Sequence, residues 1–276
     1  MKARIASSGS ALEQFRLDGQ VAVVTGAGRG IGRAIAIGFA EAGASVVIAA
    51  RRVNEIEEVA SACRAAGGKA IALPTDVMEP GALDLLAETA VREFGTLTIW
   101  VSNAGGNRDR KMLDLADVEE SEWDWMIDFN LKTAWLGARA AIRVMPPGSS
   151  ILNIVSGAGL NAAPRTGVYG AAKAGVVNMT MTLARELAPK RIRVNGIAPG
   201  PIPTEQFLET FPLEQSQMDA MGANLPTGRL GVPEDIATCA LWLCSPAGAW
   251  VTGQTISVNG GHVPGSMAVR HGEQQG

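Results

Sequence analysis

Thr25-Gly26-Ala27-Gly28-Arg29-Gly30-Ile31-Gly32 follows a short apolar run at 20–25 and opens an apolar, helix-periodic stretch at about 31–42. A glycine-rich turn between a strand and a helix presents backbone N–H groups and a helix N-terminus, the setting in which a pyrophosphate binds. The glycines are spaced T-G-x-x-x-G-x-G rather than in the shorter G-x-G-x-x-G. Glycines at these positions would also suit a plain tight turn, but the surrounding strand and helix select the phosphate cradle.

Outward from the turn the chain alternates. Residues 20–25, 45–50, 69–74 and 97–102 are short runs rich in Val, Ile, Leu and Ala, as strands buried on both faces require. Helical periodicity fills the intervals at about 31–42, 54–66 and 80–94, each ending near a glycine. The rhythm continues with a long helix at about 122–144, a strand at 150–155, a helix at about 168–187 and a strand at 191–196. After Pro199 it breaks into a Pro- and Met-containing segment, then resumes with a helix at 233–244 and a strand at 254–258. This predicts an α/β fold: a single doubly wound parallel sheet with helices on both faces and a small substrate lid. With no internal repeat or linker, residues 1–276 read as one domain. It has an N-terminal extension at 1–16, the lid at about 201–226 over the carboxyl edge of the sheet, and a polar tail at 262–276.

Composition removes several function classes. With 47% hydrophobic residues and a net charge of -3, the 276-residue chain has ample core and no nucleic-acid footprint. It has no apolar run long enough to span a membrane and no secretory leader, which predicts a cytoplasmic protein. Cys63, Cys239 and Cys244 form no metal-ligand spacing and are expected to be reduced; no metal is expected. The only histidines, His262 and His271, lie near the C-terminus, which disfavours a Ser-His-Asp triad. Proton transfer then falls to tyrosine, lysine or a carboxylate.

Tyr169 and Lys173 stand four apart in the 168–187 helix, so phenol and ammonium project side by side. An adjacent ammonium favours phenolate and brings proton exchange nearer neutrality. Ser156, at the end of the 150–155 strand, supplies a second hydroxyl. Hydride delivery to a carbonyl builds negative charge on oxygen, and two positioned hydroxyls can stabilise and then protonate it.

Charge at the second strand's end bears on the cofactor. An acid there would grip the ribose of NAD, but this strand ends Ala49-Ala50-Arg51-Arg52. Two guanidiniums, with Arg29 from the turn, suit a 2′-phosphate, so NADP(H) is expected ahead of NAD(H).

Together the T-G-x-x-x-G-x-G turn, Asp76-Val77, Asn103-Ala104-Gly105, Asn130, Ser156, Tyr169-x-x-x-Lys173 and Pro199-Gly200 resemble the short-chain dehydrogenase/reductase pattern, over about 17–261. The resemblance implies a Rossmann-type domain, a homotetramer and a small-molecule carbonyl or alcohol substrate. It gives Tyr169 the general acid–base role and makes Lys173 the residue that lowers its pKa and binds the nicotinamide ribose. Ser156 would hold the substrate oxygen, and Asn130 a water linking Lys173 to solvent. Gly26, Arg29, Gly30, Ile31, Gly32, Arg51 and Arg52 would bind the cofactor's phosphates. Asp76 and Val77 would meet adenine, Asn103, Ala104 and Gly105 would run along the cofactor, and Ile202 and Thr204 would meet the carboxamide after Pro199-Gly200.

The later segments look similar to bacterial 7α-hydroxysteroid dehydrogenases and 3-oxoacyl reductase-like members. The Pro-Gly-Pro-Ile start of the lid also resembles 2,4-dienoyl-CoA reductases, which generally lack the Tyr-x-x-x-Lys pair. Phe207, Leu208, Phe211, Met218, Met221 and Leu225 make the lid apolar and suit a bulky apolar substrate. Two other readings are an enoyl or dienoyl reductase and a non-catalytic NADP(H)-binding protein. The binder would need the cradle but not all four of Asn130, Ser156, Tyr169 and Lys173.

Overall fold

The computed structural model describes residues 10–107, 112–210 and 212–262. The extension up to residue 9, Phe211, His271 and the tail from 263 onward lie outside the described residues.

Seven strands, β1 (Val21–Thr25), β2 (Ser45–Ala50), β3 (Lys69–Pro74), β4 (Ile99–Ser102), β5 (Ser150–Ile154), β6 (Arg193–Pro199) and β7 (Thr255–Val258), form one sheet. All neighbours pair in parallel, in the order β3-β2-β1-β4-β5-β6-β7. The helices are α1 (Gly30–Glu41), α2 (Val53–Ala65), α3 (Ala82–Phe94), α4 (Glu120–Ile127), α5 (Thr133–Val144), α6 (Gly167–Glu186), α7 (Glu205–Thr210), α8 (Gln215–Ala223) and α9 (Pro233–Cys244).

Helices cover both faces, which is why β1, Val-Ala-Val-Val-Thr, is buried at every position. On one face Ile35 and Phe39 of α1, Ile56 of α2 and Ile236 and Leu243 of α9 pack against Val24, Ile48 and Ile197. On the other, Leu86 of α3, Ala138 and Ala141 of α5 and Ala184 of α6 pack with Val23, Trp100 and Ile151. The strand order reverses between β1 and β4. Loops leaving their carboxyl ends diverge to opposite faces there and leave a crevice.

Besides β6, which runs over Arg193–Pro199 rather than 191–196, two expected elements differ. The single helix at 122–144 is interrupted: a π turn over Asp128–Lys132 separates α4 from α5, and the Thr133 N–H reaches back to the Asp128 carbonyl. The Thr133 hydroxyl donates to the Phe129 carbonyl at 2.6 Å and satisfies an acceptor that the wider turn displaces. Within the lid, two short helices, α7 and α8, replace the expected irregular chain. The Thr204 hydroxyl accepts from Phe207 N at 3.2 Å in the first turn of α7, and Glu214 with Gln217 forms a capping box on α8.

Candidate active site

At the crevice, one hydroxyl ties the end of β1 to the loop that leaves β4. Thr25 Oγ1 accepts from the N–H groups of Asn103 at 3.0 Å and Ala104 at 3.1 Å, and donates to the Val101 carbonyl at 3.2 Å. The Asn103 amide returns the contact, donating to the carbonyls of Thr25 at 2.9 Å and Gly26 at 3.0 Å. The chains approach so closely that a Cβ at Gly32 would stand 2.4 Å from the Gly26 carbonyl oxygen. Gly26 itself has φ +64° and would press a Cβ to 2.9 Å from Ala104 Cα.

Helix α1 begins at this turn with Arg29 as its N-cap, and no side chain caps it. Its first-turn N–H groups have no intrahelical partner and carry the positive end of the helix dipole. Such a donor set fits the pyrophosphate of a nicotinamide dinucleotide.

From this turn a cleft of about 950 Å³ runs across the sheet edge. Gly26, Arg29, Gly30, Ile31 and Gly32 line it with Arg51, Arg52, Asp76 and Val77. So do Asn103, Ala104 and Gly105, then Ser156, Tyr169 and Lys173, and Pro199, Gly200, Ile202 and Thr204 on the lid side. Asn130 alone of the expected residues does not line it. Its buried amide accepts from Gly106 N at 2.9 Å and donates to the carbonyls of Gly106 at 2.9 Å and Met126 at 3.1 Å. Both ends of that side chain are thus engaged in fixing the backbone that follows Gly105.

The arginines are less free than the sequence suggests. Arg29 forms a two-pronged ion pair with Glu209 of α7, one contact at 3.0 Å. Arg52 pairs with Glu55, and Arg51 is exposed. Glu55, beyond the strand end, lines the cleft from the first turn of α2. Asp76 uses one carboxylate oxygen to accept from Met78 N at 2.9 Å.

Ser156 follows β5 and accepts from Ala158 N at 3.2 Å. It lines the cleft together with Tyr169 and lowers the pKa of that phenol. One turn further along α6, buried Lys173 donates to the Ile154 carbonyl at 3.0 Å, with its Nζ 5.7 Å from the Tyr169 ring centroid. Burial works against the expected electrostatics. Although Tyr169 keeps some area open to the cleft, burial raises its pKa, and the neighbouring Ser156 hydroxyl only partly offsets this. Desolvation lowers Lys173 to about 8. The ammonium is itself costly to bury, and its hydrogen bond goes to the Ile154 carbonyl.

Trp125 and Phe129, 4.8 Å apart between ring centroids, line the cleft with Gln206 and Phe207 of the lid. Of the lid's apolar set only Phe207 is among the lining residues; Leu208, Met218, Met221 and Leu225 are not. Trp125 and Phe129 were legible as an i, i+4 pair beside Asn130. Nothing in the sequence spacing signalled Glu55, Gln206 or Glu209.

Two hydroxyls and a buried amine face the open space beside Asn103–Gly105, at the end of a cradle shaped for a dinucleotide. A nicotinamide-dependent oxidoreductase is the class this arrangement defines. A family model described as enoyl-(acyl carrier protein) reductase matches residues 26–262. An uncharacterised oxidoreductase of Mycobacterium tuberculosis is 43% identical over 91% of this chain and 94% of its own. The 7α-hydroxysteroid dehydrogenase of Escherichia coli is 37% identical over 91% and 97%. A 7α-hydroxysteroid dehydrogenase solved with NADH and 7-oxo glycochenodeoxycholic acid superposes with a TM-score of 0.85 at 36% identity, over 91% of this chain and 97% of that one. The chain belongs to the short-chain dehydrogenase/reductase family and is an NAD(P)-dependent oxidoreductase. No helix among the described residues is long and apolar enough to cross a membrane.

Proposed function

We propose that the enzyme interconverts a bulky, apolar ketone and its secondary alcohol, with NADP(H) preferred over NAD(H). The convergence of the Tyr169 and Ser156 side chains in one cleft, beside buried Lys173, carries this reading. When bound, the nicotinamide supplies or receives the hydride. In reduction, Ser156 holds the carbonyl oxygen and Tyr169 Oη gives it a proton as negative charge builds there. The tyrosinate is reloaded from solvent past Lys173; oxidation runs the same transfers backwards. Asn130 acts by fixing Gly106, so that the wall beside Lys173 keeps its shape.

The preference for NADP(H) is supported by the lack of an acid at Ala50, the end of β2, and by exposed Arg51 next to it, whose guanidinium suits a 2′-phosphate. Trp125, Phe129 and Phe207 support an apolar substrate with flat faces, hydroxysteroid-like or 3-oxoacyl-like. Trp123, Trp135 and Met181 stay exposed on α4, α5 and α6, which supports a homotetramer, checked by light scattering.

The test is NADPH oxidation against pooled ketosteroids, 3-oxoacyl thioesters, quinones and conjugated enoyl thioesters. Turnover of a ketone pool that Tyr169→Phe abolishes, in a folded variant that still binds NADPH, is the expected result. Undiminished turnover by that variant overturns the assignment. Turnover of the enoyl pool alone makes the protein an enoyl reductase, and tight NADPH binding with no turnover makes it a binder.

A further inference from the structure

The end of β2 poses a problem that the side chains nearby resolve. A dinucleotide fold that accepts NAD places a carboxylate there, against the glycine turn, to take hydrogen bonds from the adenosine ribose. Ala50 has none to offer. Glu55, in the first turn of α2, turns its carboxylate back to the same spot: a Cβ added at Gly28 would lie 2.9 Å from Glu55 Oε2 and 3.5 Å from the Ala50 Cβ. The carboxylate thus stands where turn and strand end converge, lining the cleft and partly screened from solvent, with a side-chain exposure of 29%. It is paired with Arg52, the more exposed partner at 55%.

We propose that Glu55 is a cofactor-selecting residue: it accepts hydrogen bonds from the adenosine ribose hydroxyls of NAD(H) in place of the missing strand-end acid. The argument rests on the nicotinamide-dependent reading of the cleft. A carboxylate at this point favours a free 2′-hydroxyl, a donor, and opposes a 2′-phosphate, an anion. Its ion pair with Arg52 adds to both effects, since it orients the carboxylate and withdraws one guanidinium from phosphate recognition. Arg51 remains to favour NADP(H). The two neighbouring groups therefore pull in opposite directions, and the wild-type enzyme accepts both cofactors. Delivery from a helix rather than from the strand separates this acid from Ala50 in sequence, which is why the strand end by itself favours NADP(H).

The experiment measures dissociation constants of NADH and NADPH by fluorescence titration for the wild type, Glu55→Gln and Glu55→Ala, each checked by circular dichroism and thermal melting. Removing a charged acceptor weakens NADH by about fivefold to tenfold. NADPH binding holds or tightens, so the ratio of the two constants moves toward NADPH by about fivefold or more in both variants. A ratio that moves by less than about threefold, or toward NADH, overturns the role of Glu55. The outcome is separable from the parent reading: a wild type that binds neither cofactor defeats the dinucleotide cleft, whereas binding of both with an unmoved ratio defeats only the assignment to Glu55. Gln keeps the size of the side chain and Ala removes it, so a fold defect in one still leaves the other to decide.

Discussion

Lys173 Nζ lies 5.7 Å from the centre of the Tyr169 ring and is bonded at 3.0 Å to the Ile154 carbonyl, so the amine is anchored to the end of β5 rather than to the phenol. With only 4% of its surface exposed, the ammonium form is penalised and the group titrates at about 8, below its ordinary 10.5. A depressed lysine binds fewer protons in the folded chain than in the unfolded one between those values, so its effect on stability improves as pH rises through that window.

This is measurable as a difference. Lys173→Met removes the buried charge and should be more stable than the wild type near neutrality. The gap should close by an amount on the order of 3 kcal/mol between about pH 8 and pH 10.5. Denaturant midpoints of the two proteins at the two ends of that range give the answer, because the other titrating groups are common to both. A gap independent of pH would mean that Lys173 keeps its ordinary proton affinity.

Tyr169 is the only tyrosine in the chain, so tyrosinate absorbance reports it alone. Burial raises its pKa, which predicts a native midpoint above that of the denatured chain at about 10. The corresponding stability is complete below pH 10 or so and is lost as pH rises through the folded value. A native midpoint at or below the denatured one would return the phenol to the control of Lys173.

Ser156 accepts from Ala158 N at 3.2 Å and lines the cleft beside Tyr169. Ser156→Ala should lower turnover by about a hundredfold to a thousandfold, the usual cost of deleting a donor to a developing oxyanion. Cofactor affinity should change by less than about twofold, since the loss falls on the chemical step. Equal losses in cofactor binding and in turnover would show that the 157–159 turn had collapsed instead.

Much of this was legible because packing on both faces writes itself into composition. The bounds of β2, β3 and α9 are readable to the residue, since apolar runs end where their helices stop covering them. The turn at Gly26–Gly32 is legible from local chemistry alone. The break at Asp128–Lys132 is not, because a single inserted residue rotates the apolar pattern without interrupting it. Strand β6 runs from Arg193 to Pro199 rather than over 191–196: Arg191 has φ +55° and closes the preceding turn, while β7 pairs with the far end of the strand. The carboxylates were hidden for another reason. Glu55 pairs locally with Arg52 but reaches the turn at Gly28 only through the fold, and Glu209 meets Arg29 from 180 positions away in sequence.

That second pair ties the lid to the phosphate turn. Glu209 sits on α7, whose preceding residue Thr204 would be 3.1 Å from a Cβ at Gly30, so the ion pair closes one end of a strap lying directly over the cradle. The side chains are 23% and 43% exposed, which limits the pair to about 0.5–1 kcal/mol after solvent screening. A loss of that size in the closed state speeds opening by about twofold to fivefold. Glu209→Gln should therefore accelerate NADPH dissociation by that factor in stopped-flow fluorescence at low ionic strength. Added salt should erode the wild-type advantage, because a half-exposed pair is screened within about 10 Å at 0.1 M. Identical dissociation rates for the two proteins at low salt would mean that the lid opens without breaking this contact, and that the hold on the cofactor lies with Thr204 and the backbone at Gly30.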